Sequence, residues 1–119
     1  MKFGYTIIYV KDVNTSLTFF ENAFGLKIRF IHESGYGEQD TGETTLAFAT
    51  HELGSSNLPA GYVAADTSSQ PLGIEIALVT DSVTHAHQRA ITAGEYLLVS
   101  QQLSLGVRQY PTFAVRMVH

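Results

Sequence analysis

The chain has 119 residues, enough for one hydrophobic core and too few for two, so a single domain over residues 1–119 is expected. Hydrophobic residues at 45% and charged residues at 15% exclude a disordered chain. A net charge of -4, with the seven Lys and Arg scattered, excludes the basic stripe that nucleic acid requires, and the lack of cysteine excludes disulfides, thiolate metal sites and a cysteine nucleophile. No segment approaches the ~20 apolar residues of a membrane span, and the N-terminus enters an apolar stretch without a signal-peptide core. Neither nucleic acid nor membrane is an expected partner, and the cytoplasm is the expected location.

Tyr5 to Val10 reads as a strand with Tyr5, Ile7 and Tyr9 on one face and Thr6, Ile8 and Val10 on the other, both faces buried. A helix follows, capped by Asp12 or Asn14, with Val13, Leu17, Phe20 and Phe24 at helical spacing and Gly25 as a left-handed stop. Residues 26 to 32, 35 to 40 and 44 to 50 read as three strands, broken at Ser34-Gly35 and Thr41-Gly42. His51 to Pro71, rich in Gly, Ser, Pro and Ala, reads as a connecting loop. The order then restarts: a strand over Gly73 to Val79, and a helix capped by Asp81 that carries Val83, Ala86, Ala90 and Ala93 and stops at Gly94. Tyr110 to Val118 alternates in the manner of a further strand. The fold class is α+β: two β-α-β-β-β modules, about 1–50 and 72–119, with a curled mixed sheet around a cleft and the second module incomplete at its C-terminus.

The segment from Tyr5 to Leu26 (strand, Asp12, Ser16, the pair Phe19-Phe20, then Gly25-Leu26) resembles the opening of vicinal oxygen chelate proteins, the glyoxalase, bleomycin-resistance and extradiol dioxygenase superfamily. Gly73 to Asp81 and Ala90 to Gly94 resemble the start of that family's second module. The resemblance stops at about residue 95. Members usually continue with Glu-Pro-x-x-Lys-Pro-Trp-Gly-Gln-Thr, an aromatic-rich strand, Asp-Pro-Asp-Gly and a last strand bearing an acidic ligand, none of which is visible here.

A shifted reading frame would account for the departure, the alternative being coincidence helped by third-base freedom. Codons allowed for Val99 to His119, read from each third base into the next codon, can spell Glu-Pro-x-x-Lys-Pro-Trp-Gly-Gln-Thr-Val-Ser-Tyr-Val-Arg-Cys-Pro-Asp-Gly-Thr. Met117 has one codon, ending in G, and Val118 follows, so a hidden Gly is forced at the step where the family has one. A frameshift between about Gly94 and Val99 is inferred. It leaves too little chain for the family's final strand, and a homodimer, with strand exchange as one route, is expected to cover the exposed edge.

The resemblance implies four metal-ligand positions in metal-dependent members. Here they fall on Tyr5, on Ala47 or its neighbour Phe48, on Glu75, and on the absent last strand. One carboxylate does not make a site, so neither a metal, another cofactor nor a catalytic residue is expected. Glu75, between Ile74 and Ile76, is expected to point into the cleft; it is either a polar anchor for a cationic or hydrogen-bonding ligand or an internal partner of a residue such as Arg29 or a tyrosine. Tyr5, Ile7 and Tyr9 would supply the cleft wall, and His51 is expected at its mouth. His85 and His87, two residues apart on one helix, read as solvated, and so does the acidic hairpin Glu38-Gln39-Asp40 with Glu43.

The leading expectation is a metal-free protein that encloses a small molecule, similar to the drug-sequestering resistance members. A metal-dependent lyase or transferase of the glyoxalase or fosfomycin-resistance kind, and a truncated inactive relic, are the alternatives.

Overall fold

The computed structural model describes residues 1–70 and 72–94, and residues 112–115 as backbone. The elements in chain order are β1 (Tyr5–Val10), α1 (Val13–Phe24), β2 (Ile28–His32), β3 (Tyr36–Asp40), β4 (Thr45–Thr50), α2 (His51–Asn57), β5 (Ile76–Val79), α3 (Val83–Ala93) and β6 (Thr112–Val115). The first four strands form one mixed sheet, ordered β1-β4-β3-β2, with β1 parallel to β4 and the remaining pairs antiparallel. The first β-α-β-β-β module is therefore complete. Of the second, the described residues give β5, α3 and β6, with β5 and β6 antiparallel.

Helix α1 begins where the Asp12 carboxylate accepts from the Thr15 N–H and ends at Gly25, whose φ of 71° only glycine adopts without strain. Val13, Leu17, Phe20 and Ala23 form its buried stripe, facing Ile8, Val10, Leu46 and Phe48 of the sheet. Phe20 meets Phe48 at 5.1 Å between ring centroids, and both are fully buried. Each such side chain contributes about 1.5–3 kcal/mol. The helix can approach this closely because β3 presents Gly37 beneath it, where a Cβ would lie 2.5 Å from Leu17 Cδ1. Helix α3 adds Ala90 to the same core and ties to α1 through Arg89 Nε donating to the Asn22 carbonyl at 2.7 Å.

Four sequence expectations change. The loop from residue 51 opens with a helix, α2: the Thr50 side chain caps it by accepting from the Leu53 N–H. Only one face of β1 is buried, since no described element covers Tyr5 and Ile7. The fifth strand spans Ile76–Val79 instead of starting at Gly73. Ser82, not Asp81, caps α3 by accepting from the His85 N–H. The rest of the proposed 110–118 strand lies outside the described residues. No helix among them is long and apolar enough to cross a membrane.

Candidate functional site

Alternation along the strands divides the first sheet into a helix-covered face and an open one. Cross-strand partners share a face, so the registers Ile7↔Ala47, Tyr9↔Ala49 and Glu38↔Ala47 put these residues together on the open side. Strand β2 joins them through a bulge: Ile28 pairs with Gln39 and Phe30 with Glu38, leaving Arg29 as the extra residue. The bulge turns Arg29 onto the open face beside Phe30, although alternation alone would separate them.

Glu38 is the centre of this face. It is 7% exposed, accepts from the Tyr36 hydroxyl at 2.8 Å, and pairs with Arg29 Nη1 at 3.4 Å. The same Arg29 nitrogen donates to Thr45 Oγ1 at 3.2 Å, and Nη2 lies 3.5 Å from Asp40. One guanidinium thus serves two carboxylates, and the cluster carries a net negative charge. Burial pushes the Tyr36 phenol up to about 12, reinforced by its bond to Glu38 and the charge of that carboxylate. Tyr5, Ile7 and Phe30 lie around the cluster at 59%, 44% and 44% exposed. Both Glu38 oxygens are engaged, Oε1 by the Tyr36 hydroxyl and Oε2 by Arg29.

A second polar cluster borders this face at the end of β1. His51 Nε2 lies 2.9 Å from both Asp66 oxygens and its Nδ1 lies 2.7 Å from the Tyr62 hydroxyl. With the ring proton directed at the carboxylate, Nδ1 accepts from Tyr62. Asp66, 9% exposed, also accepts from the Lys11 N–H at 2.9 Å. Burial, then the charge of Asp66, raises the Tyr62 pKa. The Tyr62 ring packs on Tyr9 at 5.1 Å, and Asn57 Nδ2 donates to the Tyr9 hydroxyl. Gly54 permits the approach: a Cβ there would lie 2.6 Å from the Tyr62 oxygen. The loop after α2 is clamped to β1 by these contacts.

The sequence-predicted residues separate accordingly. Tyr5, Ile7, Tyr9 and Ala47 share the open face, and His51 stands at its rim, held by Tyr62 and Asp66. Phe48 belongs to the helix-side core instead, because β4 alternates and Phe48 meets Phe20. Glu75 lies outside β5 and is exposed, so it does not stand buried in a cleft. Glu38, read from sequence as part of a solvated hairpin, is the buried carboxylate, and its partner is Arg29.

The three ligand positions within the described residues do not fit a divalent ion. Ala47 has no donor atom, Tyr5 offers a phenol, and Glu75 stands outside the sheet. Among the described residues no group of three His, Cys, Asp or Glu is placed to hold a metal. A groove of about 730 Å³ lies on the other side of the sheet, lined by Phe24, Leu26, Ile76, Leu78, His85 and Arg89 among others. It shares only Thr45 with the open-face cluster, so the buried carboxylate does not address it.

The family model for the Glyoxalase/Bleomycin resistance protein/Dioxygenase superfamily matches residues 2–98. No curated protein matches. Among solved structures, a hypothetical protein from S. aureus is similar with a TM-score of 0.68 at 17% identity, over 98% of this chain and 93% of that one. A glyoxalase-related enzyme from Fulvimarina pelagi gives 0.62 at 15%, over 87% and 73% of the two chains. A glyoxalase/bleomycin resistance protein/dioxygenase family enzyme from Burkholderia phytofirmans PsJN gives 0.58 at 21%, over 85% and 80%. At these identities the likeness is one of fold, and the complete β-α-β-β-β module is the part of it described above. With a family match over most of its length, the chain belongs to the glyoxalase/bleomycin resistance protein/dioxygenase superfamily.

Proposed function

We propose that the protein binds and sequesters a small organic molecule on the open face of its first sheet, without chemistry of its own. The observation that carries this reading is the uncovered apolar surface of Tyr5, Ile7 and Phe30 around Glu38, a carboxylate removed from water and only partly neutralised by Arg29. Aromatic rings and a negative cluster favour a flat ligand bearing a cationic or hydrogen-bond-donating group.

Thermal unfolding tests it, because a ligand that binds the folded state alone stabilises it by about 2.7 kcal/mol at a hundred times its dissociation constant. The panel is cationic aromatic drugs, their neutral analogues, and divalent metal salts. Stabilisation by the cationic compounds, with no response to metals, is expected. A metal-specific rise in melting temperature would replace this reading with a metal-dependent lyase or transferase. No response to any compound would favour an inactive relic.

A further inference from the structure

Arg29 reaches the open face because the β2 bulge gives that strand one residue more than β3 opposite it. The registers Asp40↔Thr45 and Glu38↔Ala47 set its acceptors in two successive rows, and the guanidinium bridges both. Nη1 spans Thr45 Oγ1 at 3.2 Å and Glu38 Oε2 at 3.4 Å, while Nη2 lies 3.5 Å from Asp40 Oδ1. Fully formed charge-assisted N–H···O bonds close to about 2.7–2.9 Å. Arg29 is therefore shared among three acceptors and seated on none.

The partners differ in what they lose when the arginine leaves. Asp40, its side chain 62% exposed, keeps water, and Arg29 keeps Asp40. Glu38, its side chain 9% exposed, has no such recourse and needs another cation. The Tyr36 hydroxyl donates to Glu38 Oε1, and burial pushes that phenol up to about 12, so it remains a donor and Oε2 is the oxygen open to exchange. A donor placed where Nη1 stands meets Glu38 Oε2 and Thr45 Oγ1 together, with the exposed side chains of Tyr5, Ile7 and Phe30 nearby. Planar N–H donors suit such a carboxylate by geometry as well as by charge.

We propose, on the ligand reading above, that Arg29 is a built-in competitor for Glu38, and that the ligand is an aryl amidinium or guanidinium whose N–H group takes the Nη1 position. The arginine then turns to Asp40, where its charge stays paired, and the ligand's ring lies on Tyr5, Ile7 and Phe30. With no ligand bound, the chain's own cation keeps the buried carboxylate paired. A neutral isostere has no charge to offer Glu38 and does not displace it.

Benzamidine and its neutral analogue benzamide are the probes, titrated calorimetrically to about 10 mM so that millimolar affinities are reached. Wild-type protein is expected to bind benzamidine in preference to benzamide. Arg29→Gln is expected to bind benzamidine about tenfold tighter, because a competing hydrogen bond to a charged group is gone. The gain is expected to vanish in the Glu38→Gln background, where a mere change in overall charge would leave it intact. A wild type that binds benzamidine while Arg29→Gln binds it no more tightly overturns the competition and leaves the ligand reading standing. A gain that survives in the Glu38→Gln background, or equal affinity for benzamide, does the same. Absence of benzamidine binding to both chains overturns the assigned ligand class, and the wider drug panel then decides the ligand reading by itself. Should Arg29→Gln fail to fold, the Nε–H resonance of Arg29 in the wild-type chain decides: a shift on saturation with benzamidine supports displacement, and an unmoved resonance overturns it.

Discussion

Glu38 on β3 stands directly opposite Ala47 on β4, so the buried carboxylate of the open face is one strand away from the position to which the family resemblance assigns a ligand. The Glu38 side chain is held by the Tyr36 hydroxyl and by Arg29, while Ala47 itself has no polar side-chain atom. On the proposed reading, this arrangement would attract a positively charged organic group.

Glu38→Gln separates the two roles of the carboxylate. The amide oxygen can still accept from Tyr36, while the ion pair with the 40% exposed Arg29 is lost. For a solvent-screened pair the loss of stability is expected to be at most about 1 kcal/mol in urea unfolding. The stabilisation by cationic compounds is expected to fall at least tenfold in apparent affinity. Retained affinity would remove Glu38 from the site.

The raised Tyr36 pKa has a definite sign in stability. In the unfolded chain the phenol ionises near its ordinary value of 10, whereas in the folded protein it holds its proton to about 12. Its contribution is fully present below pH 10 and is lost as the pH rises through 12. Denaturation midpoints are expected to decline across that window, in step with phenolate absorbance. Glu38→Gln removes the carboxylate charge but not the burial, so the phenolate transition should move down while staying above 10.

The first module was legible in the sequence because its signals reinforce one another. Asp12, the stripe Val13, Leu17 and Phe20, and Gly25 give α1 its start, face and end, and the strands are separated by turn residues. The site was harder to read. Arg29 and Phe30 share a face only through the bulge, and strict alternation hides that. Glu38 lies in a polar run whose burial depends on long-range pairing with β2 and β4. Helix α2 was concealed by Gly54, a residue unfavourable in helices by about 1 kcal/mol, although Thr50 and Glu52 carried a capping signal. His51 and Asp66 are fifteen residues apart, and nothing local announces their contact.

That contact predicts how the loop after α2 will respond to mutation. His51→Ala leaves the buried Asp66 carboxylate with the Lys11 N–H, and the Tyr62 hydroxyl with only its long bond to the residue 51 carbonyl. Leaving such groups under-satisfied costs about 1–3 kcal/mol each. His51→Ala is expected to lower stability within that range and to make residues 58–68 the first site of limited proteolysis. Unchanged proteolysis would mean that the clamp does not hold the loop.

Gly54→Ala sets two effects against each other. Helix propensity favours alanine by about 1 kcal/mol. The new methyl, however, would lie 2.8 Å from Tyr9 Cγ, the root of a ring packed between β1 and Tyr62, and 2.6 Å from the Tyr62 oxygen. Overpacking of this kind costs about 1–3 kcal/mol, so urea unfolding is expected to show net destabilisation. A stabilised variant would show that the approach of α2 to Tyr9 is not tight.

The last prediction concerns the tail, where the family resemblance ends. The family match stops at residue 98, and the hidden reading begins at Val99. Most steps of that reading have freedom in the third base, but Met117 followed by Val118 has none and still yields the expected Gly. The coding DNA is expected to contain, one frame over, the continuous sequence Glu-Pro-x-x-Lys-Pro-Trp-Gly-Gln-Thr followed by the aromatic strand and Pro-Asp-Gly. Sequencing the DNA decides it directly, since bases that spell other residues in that frame would end the inference. If the motif is present, restoring the frame after Gly94 should supply β5 with further strand partners and protect its amides from hydrogen exchange. Protection confined to β1–β4 in the restored protein would show that the shifted tail was not what limited the second module.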